Sequence, residues 1–471
     1  MTQFLLLSVL SCQSEILELE SSVAFGTGFF TEEVERGGNV ILIFMDDIGV
    51  DKIAAYNRHP YPAHTPTINQ IANEGVLFTN AYSNPTCSPS RTSILTGRHA
   101  YKTGIGRWLY APEADFDLQE YERTLPEFLS KSPYEYTSVV TGKWHLASFL
   151  RDKPGLHPIE QGFQHHWGSM SNPLEAVLPG NLPRGYFNWE KNIDGELVWI
   201  DTYMTTDTIN DAIYFAQNLE EPFFLYVPLN APHSPLHAPP ENLLREPLSD
   251  DASDLEKYEA MIEAMDFEIG RFFQSIPLDV LENSTVLLVG DNGTPMHGIR
   301  EPFDPLRRKG TVFDGGVQVP FIVWGNLVKE VGVQSEELIH LVDVFATILD
   351  IAGVNPVVER FDEGPFVDQY IDIDGKSLLP IFQNRPIEWR EFLYSEGFYP
   401  NGNQLSREYH RKMIRNKDWK YIRIEKEGSY EESLHQYKSD QFDEGPNLLL
   451  ENTSEEGLEN YRVLQSLISD L

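Results

Sequence analysis

The sequence predicts an α/β fold: a large mixed, mostly parallel sheet sandwiched by helices, with a smaller C-terminal antiparallel subdomain. Three observations carry this expectation. Four short runs are apolar throughout instead of alternating, as strands buried on both faces are. Segments with apolar residues at helical spacing lie between them. Beyond about Asn355 the pattern changes to short, half-polar strand-like runs.

In chain order, Val40-Ile41-Leu42-Ile43-Phe44-Met45 stops at Asp46-Asp47-Ile48-Gly49, and Ser138-Val139-Val140-Thr141 stops at Gly142-Lys143-Trp144-His145. Phe223-Phe224-Leu225-Tyr226-Val227 leads through Pro228 to Ala231-Pro232-His233. Thr285-Val286-Leu287-Leu288-Val289 stops at Gly290-Asp291-Asn292-Gly293. Between the last two, Ser253-Asp254-Leu255-Glu256 is a capping box, followed by Met261, Ile262, Met265, Ile269 and Phe272 on one helical face. Val342, Phe345, Leu349 and Ile351 mark another helix, closed by Gly353. Residues 355–375 are rich in Pro, Asp and Glu and read as a linker. After Phe392-Leu393-Tyr394, the runs 411–415 and 419–423, separated by Asn416-Lys417-Asp418, predict a hairpin. The expected division is an N-terminal leader (1–37), a main domain (38–375) and a C-terminal α+β subdomain (376–471). In open α/β sheets ligands sit beyond the carboxyl ends of the strands, and here four strands end in charged or imidazole residues.

Composition narrows the ligand. With 36 basic against 72 acidic residues the formal charge is −36. That excludes nucleic acid, which needs a basic face, and adhesion to anionic membranes. An anionic ligand would need a local basic pocket inside an acidic field. Of the two cysteines, Cys12 lies in the leader, which leaves Cys87 alone in the folded body and predicts no disulfide there. The apolar run Phe4–Leu10 is about the minimum length for a signal segment, and Val9-Leu10-Ser11-Cys12 loosely resembles a lipoprotein cleavage site. The first basic side chain is Arg36, so the usual charged n-region is missing. The expectation is a periplasmic or extracellular protein, with lipoprotein anchoring as one route. No apolar stretch reaches transmembrane length.

Cys87 opens the segment Cys87-Ser88-Pro89-Ser90-Arg91, and Leu95-Thr96-Gly97-Arg98 follows. Ser88 as N-cap, Pro89 at the first helical position and Gly97 at the end predict a helix. Its N-terminus, beside Cys87, favours an anion. Spacing alone leaves open whether the thiol is incidental or functional. Asp46, Asp47, Asp291 and Asn292 are hard oxygen donors at two strand ends. Singly they read as turns; together they imply a divalent cation such as Ca²⁺ or Mg²⁺ and not zinc. Lys143, Lys309 and Arg91 add positive charge, and His145 and His233 can supply acid and base. These residues point to metal-assisted hydrolysis of an anionic ester.

Taken in order, the same residues resemble the type I sulfatases, the formylglycine-dependent branch of the alkaline phosphatase superfamily. The resemblance runs from about Asn39 to Pro380. It is most specific at Cys87-Ser88-Pro89-Ser90-Arg91 and Gly142-Lys143-Trp144-His145, and continues through Asp314-Gly315-Gly316-Val317-Gln318-Val319-Pro320 and Asp374-Gly375-Lys376-Ser377-Leu378-Leu379-Pro380. It implies an alkaline phosphatase-like fold. It further implies that a formylglycine-generating enzyme oxidises Cys87 to formylglycine, whose hydrated aldehyde is the nucleophile. Arg91 and Lys143 would hold that group. One Ca²⁺ would be bound by Asp46, Asp47, Asp291, Asn292 and the group made from Cys87. Lys309 and His233 would contact the sulfate and the ester oxygen, His233 being favoured to protonate the leaving alcohol, and His145 would take the proton of the second hydroxyl.

The sequence departs from the commonest family pattern at Ala147, at Asp314 in place of Glu, and at Thr294-Pro295-Met296-His297-Gly298. For the substrate, His237, His297, Arg407, His410 and Arg411 are the candidate contacts. His157, His165, His166 and the aromatic residues Tyr186, Phe187, Trp189 and Trp199 also lie near the motif loops. A sulfated polysaccharide fragment is the expected substrate, with a uronate or second sulfate reached by the Arg407–Arg411 region. Two other readings stay open: a phosphonate monoester or phosphodiester hydrolase of the same superfamily, and an inactive carbohydrate-binding homologue.

Overall fold

The four apolar runs become the adjacent central strands of one ten-stranded sheet. Its order in space is Val333–Ser335, Val76–Phe78, Phe321–Gly325, Ser284–Gly290, Asn39–Met45, Phe223–Pro228, Thr137–Thr141, His165–Gly168, Trp189–Ile193, Glu196–Ile200. The computed structural model describes residues 35–109, 116–148, 150–173, 185–356, 372–402, 407–437, 444–450 and 453–469. The Phe4–Leu10 run, Cys12 and most of the 355–375 linker lie outside the described residues.

The strands from Ser284–Gly290 through Asn39–Met45 and Phe223–Pro228 to Thr137–Thr141 are all parallel. Phe321–Gly325 runs antiparallel between Ser284–Gly290 and Val76–Phe78, and Trp189–Ile193 with Glu196–Ile200 forms an antiparallel edge, so the sheet is mixed as expected. Burial on both faces explains why the central strands carry no polar alternation. On one face they meet Met261, Ile262, Met265, Ile269 and Phe272 of helix Asp254–Ser275, and Ile209, Ala212 and Phe215 of helix Met204–Asn218. The capping box forms: Glu256 N donates to Ser253 Oγ at 3.3 Å and Ser253 N to Glu256 Oε2 at 2.8 Å. Helix Val342–Ile351 is closed by Gly353 at φ +68°.

Beyond it, Leu393–Tyr399, Tyr409–Arg415, Trp419–Lys426 and Ser429–Gln436 form a four-stranded antiparallel sheet in that order. The predicted hairpin is its centre. One face joins Tyr82, Val312, Val317 and Leu338 through Leu393, Met413 and Ile422. The other is covered by Leu464 and Ile468 of helix Glu455–Ser469. A buried ionic knot fastens the junction: Lys420 Nζ donates to Asp314 Oδ1 at 2.8 Å and Glu444 Oε1 at 2.6 Å. Asp314 also accepts from Tyr82 and Tyr437, so this departure from the family pattern is a structural tie. Residues 35–471 make one compact unit that includes the ten-stranded and four-stranded sheets. Among the described residues no helix is long and apolar enough to cross a membrane.

Helix Pro66–Asn73 receives no side-chain cap from its own N-cap, Thr65. Asp266, on the neighbouring long helix, accepts from Thr67 N at 3.0 Å and Ile68 N at 2.8 Å instead. Asp266→Ala strands these buried donors and is expected to cost about 2 kcal/mol in urea unfolding. Burial raises the Asp266 carboxyl from 3.8 to about 6, against those hydrogen bonds. A folded value above the unfolded one means its contribution is fully present at low pH and is lost as pH rises through about 6. Asp266→Asn should therefore flatten the stability profile across that window.

Candidate active site

Strand register brings the predicted residues together. Met45 lies opposite Gly290 and Phe44 opposite Pro228, so Asp46-Asp47, Asp291-Asn292 and the approach to His233 leave the sheet side by side. Asp291 N donates to Met45 O at 2.9 Å, and Asp47 N to Asp291 Oδ1 at 2.8 Å. On the next strand, Gly142 turns the chain at φ +117°, where a Cβ would lie 2.2 Å from Pro228 O. Lys143 N, Trp144 N and His145 N then bond Pro228 O, Ser169 O and Met170 O at 2.7, 2.9 and 3.0 Å. Asp47 (φ +65°) and His145 (φ +58°) both occupy the left-handed region that non-glycine residues avoid. Such strained residues persist where surrounding bonds hold them, and functional sites concentrate them.

The helix beside these loops is Cys87–Thr96, with Thr86 as N-cap and Gly97 in the left-handed region at its end. The structure corrects the expected start: Ser88 lies inside the first turn. Its hydroxyl is used across the site, donating to His145 O at 3.0 Å and accepting from Leu109 N at 3.1 Å. Cys87 is a buried free thiol. Arg91, one turn further along, is wholly buried and donates to Asp46 Oδ2 at 3.0 Å and Lys143 O at 2.7 Å. Lys143 Nζ bonds the same Asp46 oxygen. Lys309 Nζ bonds Asp47 Oδ1 and lies 3.8 Å from Cys87 Sγ. Asn292 Nδ2 donates to Asp47 Oδ1 at 2.9 Å, and His233 Nε2 lies 3.7 Å from Asp47 Oδ2. Donor atoms of Asp46, Asp47, Cys87 and His233 all fall within 4.8 Å of one another.

The donor set fits a hard cation. Asp46 Oδ1, Asp291 Oδ2 and Asn292 Oδ1 are buried oxygens that accept no hydrogen bond. Buried polar atoms are almost always satisfied, so three unsatisfied oxygens beside Asp47 mark a place for an oxygen-preferring ion such as Ca²⁺. The charge balance agrees. Burial pushes Asp291 well above the usual carboxylate range, with Asp46 and Asp47 adding to it. Burial also acts to raise Asp46, but Lys143, His233, Arg91 and Lys309 outweigh it and hold it low. Burial, aided by Lys143 and Arg91, keeps His145 neutral, and burial brings His233 down to about 4 against the pull of Asp47. His145 Nε2 bonds Leu109 O at 3.1 Å, so the neutral ring carries its proton there and Nδ1 is the basic nitrogen.

A family model, described as Sulfatase, matches residues 38–354. The chain belongs to the sulfatase family. Among its relatives is human N-acetylgalactosamine-6-sulfatase, 31% identical over 383 residues, covering 76% of this chain and 68% of that protein. Among solved structures, Ps i-CgsB in complex with k-i-k-neocarrahexaose aligns with a TM-score of 0.70 and 22% identity, covering 92% of each chain. A protein solved with its substrate D-glucosamine-2-N,6-O-disulfate aligns at 0.65 and 21%, covering 93% of this chain and 97% of that one. The sulfatase is thus a sulfuric ester hydrolase with the alkaline phosphatase-like fold expected of it.

The candidate substrate residues separate. His237 packs 4.4 Å from Tyr186, whose hydroxyl bonds His233 O at 2.7 Å, so it stands behind the site. Its own nitrogens bond Pro235 O and Tyr203 OH. His297 lies edge-on to Tyr258, which donates to Asp47 O at 2.6 Å. Arg407 caps Pro400 O and Gly402 O and lies over Phe398, while His410 bonds Glu396 Oε2 at 2.7 Å; the structure uses both as supports within the C-terminal sheet. Arg411 is turned the other way. His157, His165 and His166 bond Trp144, Asp194 and Asn192, and act as loop supports. Sequence reasoning missed Ser88, Tyr258 and the pair Thr294–Asp51. Thr294 Oγ1 donates to Asp51 Oδ1 at 2.5 Å and accepts from Gly49 N at 3.1 Å, bracing the two acidic loops.

Proposed function

We propose that this sulfatase desulfates a sulfated polysaccharide or its oligosaccharides, through a formylglycine made from Cys87 and one Ca²⁺ held by Asp46, Asp47, Asp291 and Asn292. The observation that carries the reading is Cys87 itself, buried on the first turn of its helix within reach of two lysines, an arginine and three unsatisfied oxygens. The substrates of a relative and of a structural neighbour, an N-acetylgalactosamine 6-sulfate and a disulfated glucosamine, support a sulfated sugar. When present, the cation and the hydrated aldehyde supply charge neutralisation and an activated hydroxyl.

The remaining work belongs to side chains of this chain. Arg91 and Lys143 fix Asp46 and add positive charge beside the nucleophile. Lys309 faces the docking sulfate with an ammonium that Asp47 stabilises. His145 is unprotonated, as a base must be. His233 donates from Nδ1 to Ser234 O at 2.7 Å, so Nε2 must gain a proton before it can serve the leaving alcohol. The negative charge of a docking sulfate ester favours that protonation. The same reading divides the chain into a leader (1–37), a catalytic segment (38–375) and a C-terminal subdomain (376–471). It also proposes maturation by a formylglycine-generating enzyme and work in the periplasm or outside the cell.

Turnover of 4-nitrophenyl sulfate by the matured enzyme should exceed turnover of a phenyl phosphonate monoester by about 100-fold or more in kcat/KM. The reverse ratio would assign the protein to the phosphonate hydrolases, and no turnover of either would favour the inactive homologue.

A further inference from the structure

Arg411 stands apart from most arginines of this acidic chain. Arg98, Arg300 and Arg390 each pair with a carboxylate, respectively Glu122, Glu259 and Asp343. Among the described residues Arg411 has no such partner; its guanidinium lies 4.2 Å over the Tyr409 ring. Its charged neighbour is another cation, Arg308, and burial with that neighbour pushes Arg411 down to about 10. Arg308 bonds the backbone oxygen of Lys309 at 3.3 Å, and its buried Nε has no hydrogen-bond partner.

Strand geometry places Arg411 on the sheet face that meets the loops around Cys87. It lies directly opposite Gly397 on the adjacent strand, so the two share a face of the sheet. That face meets the catalytic loops: a Cβ on Gly397 would be 3.2 Å from Pro85 and 3.3 Å from Gly106 O. Pro85 in turn accepts from Gly310 N at 2.9 Å, which ties the Arg308–Gly310 loop to the segment entering Cys87. Two cations from distant parts of the chain thus act on one another near the loop that carries Lys309, and no carboxylate among the described residues contributes to the electrostatics of Arg411. Two adjacent partly buried cations repel unless an anion bridges them.

We propose that Arg308 and Arg411 form an anion subsite next to the sulfate pocket, which takes a second sulfate or a carboxylate of the saccharide. This rests on the sulfatase reading and narrows it to substrates carrying at least two negative groups. Guanidinium forks suit both anions.

The test is direct binding by calorimetry with the full chain carrying Cys87→Ala, in Ca²⁺, so that no turnover intervenes. The probes are glucosamine 6-sulfate, glucosamine-2-N,6-O-disulfate, galactose 6-sulfate, and a 6-sulfated disaccharide bearing a uronate. A second anion should tighten binding about 10-fold in at least one pair, and the pair that responds identifies sulfate or carboxylate. Arg308→Met and Arg411→Met should each remove most of that gain while leaving the monosulfates within about two-fold. Arg411→Lys should restore part of it, and Lys417→Met, at the turn of the same hairpin, should leave it intact. No gain from a second anion with any probe would overturn the subsite, as would a loss shared equally by singly and doubly charged probes. Failure of the matured wild type to hydrolyse 4-nitrophenyl sulfate, with the binding contrast preserved, would instead remove the sulfatase reading and leave the subsite standing.

Discussion

Cys87→Ala is expected to lower kcat on 4-nitrophenyl sulfate by at least about 1,000-fold, the size of loss seen when a covalent nucleophile is removed. The thermal midpoint should move by no more than a few degrees, because the group removed is small. The same should hold for wild-type protein made without a maturing enzyme. Burial pushes the Cys87 thiol well above its ordinary value, and Lys143 and Lys309 only partly oppose it. A neutral buried thiol is a poor nucleophile, which supports the proposed replacement of the Cys87 sulfur. Activity across preparations should scale with the fraction of the Cys87 peptide that mass spectrometry finds in the aldehyde form. A fully active thiol form would refute the assignment.

Removal of Ca²⁺ has the second largest expected effect. Dialysis against a chelator should reduce kcat by about 100-fold or more, with recovery on adding Ca²⁺ and not Zn²⁺. Binding at 100 times the dissociation constant stabilises by about 2.7 kcal/mol, enough to raise the thermal midpoint by several degrees. Asp291→Asn separates structure from chemistry. Asp291 is already disfavoured as an anion by burial and by Asp46 and Asp47. Its amide should therefore leave the metal-free protein as stable as the metal-free wild type, or more so. Stabilisation by Ca²⁺ should shrink together with activity. A variant that loses activity while keeping the full Ca²⁺-induced shift would show that Asp291 is not a ligand.

The central strands were legible because both faces are buried, which leaves continuous apolar runs that no loop imitates. The peripheral strands were not. Glu196–Ile200 is partly exposed along its length, and His165–Gly168 and Val76–Phe78 are too short to show a period. The candidate metal and nucleophile residues could be grouped because each follows a strand end or opens a helix, where chain geometry predicts exposure to a ligand. The bracing residues Ser88, Thr294 and Tyr258 act across long sequence separations and leave no local signature. The structure separates His410 from Arg411 for a geometric reason. Successive residues of a strand point to opposite faces, so His410 turns to Glu396 while Arg411 turns to the catalytic loops.

Adjacency of the Asn39–Met45 and Ser284–Gly290 strands sets a timetable as well as a geometry. Asp47 and Asp291 are 244 residues apart in sequence. Closing loops of that length makes folding slow, because their entropy is lost before any contact rewards it. In the closed fold Cys87 is 2% exposed, so the proposed oxidation by a maturing enzyme would have to precede that closure. Slow docking of the distant strand would leave a period between synthesis and burial for that proposed oxidation. On that proposal, a substitution that speeds closure of the central sheet is expected to raise the yield of folded protein and lower the fraction that becomes active.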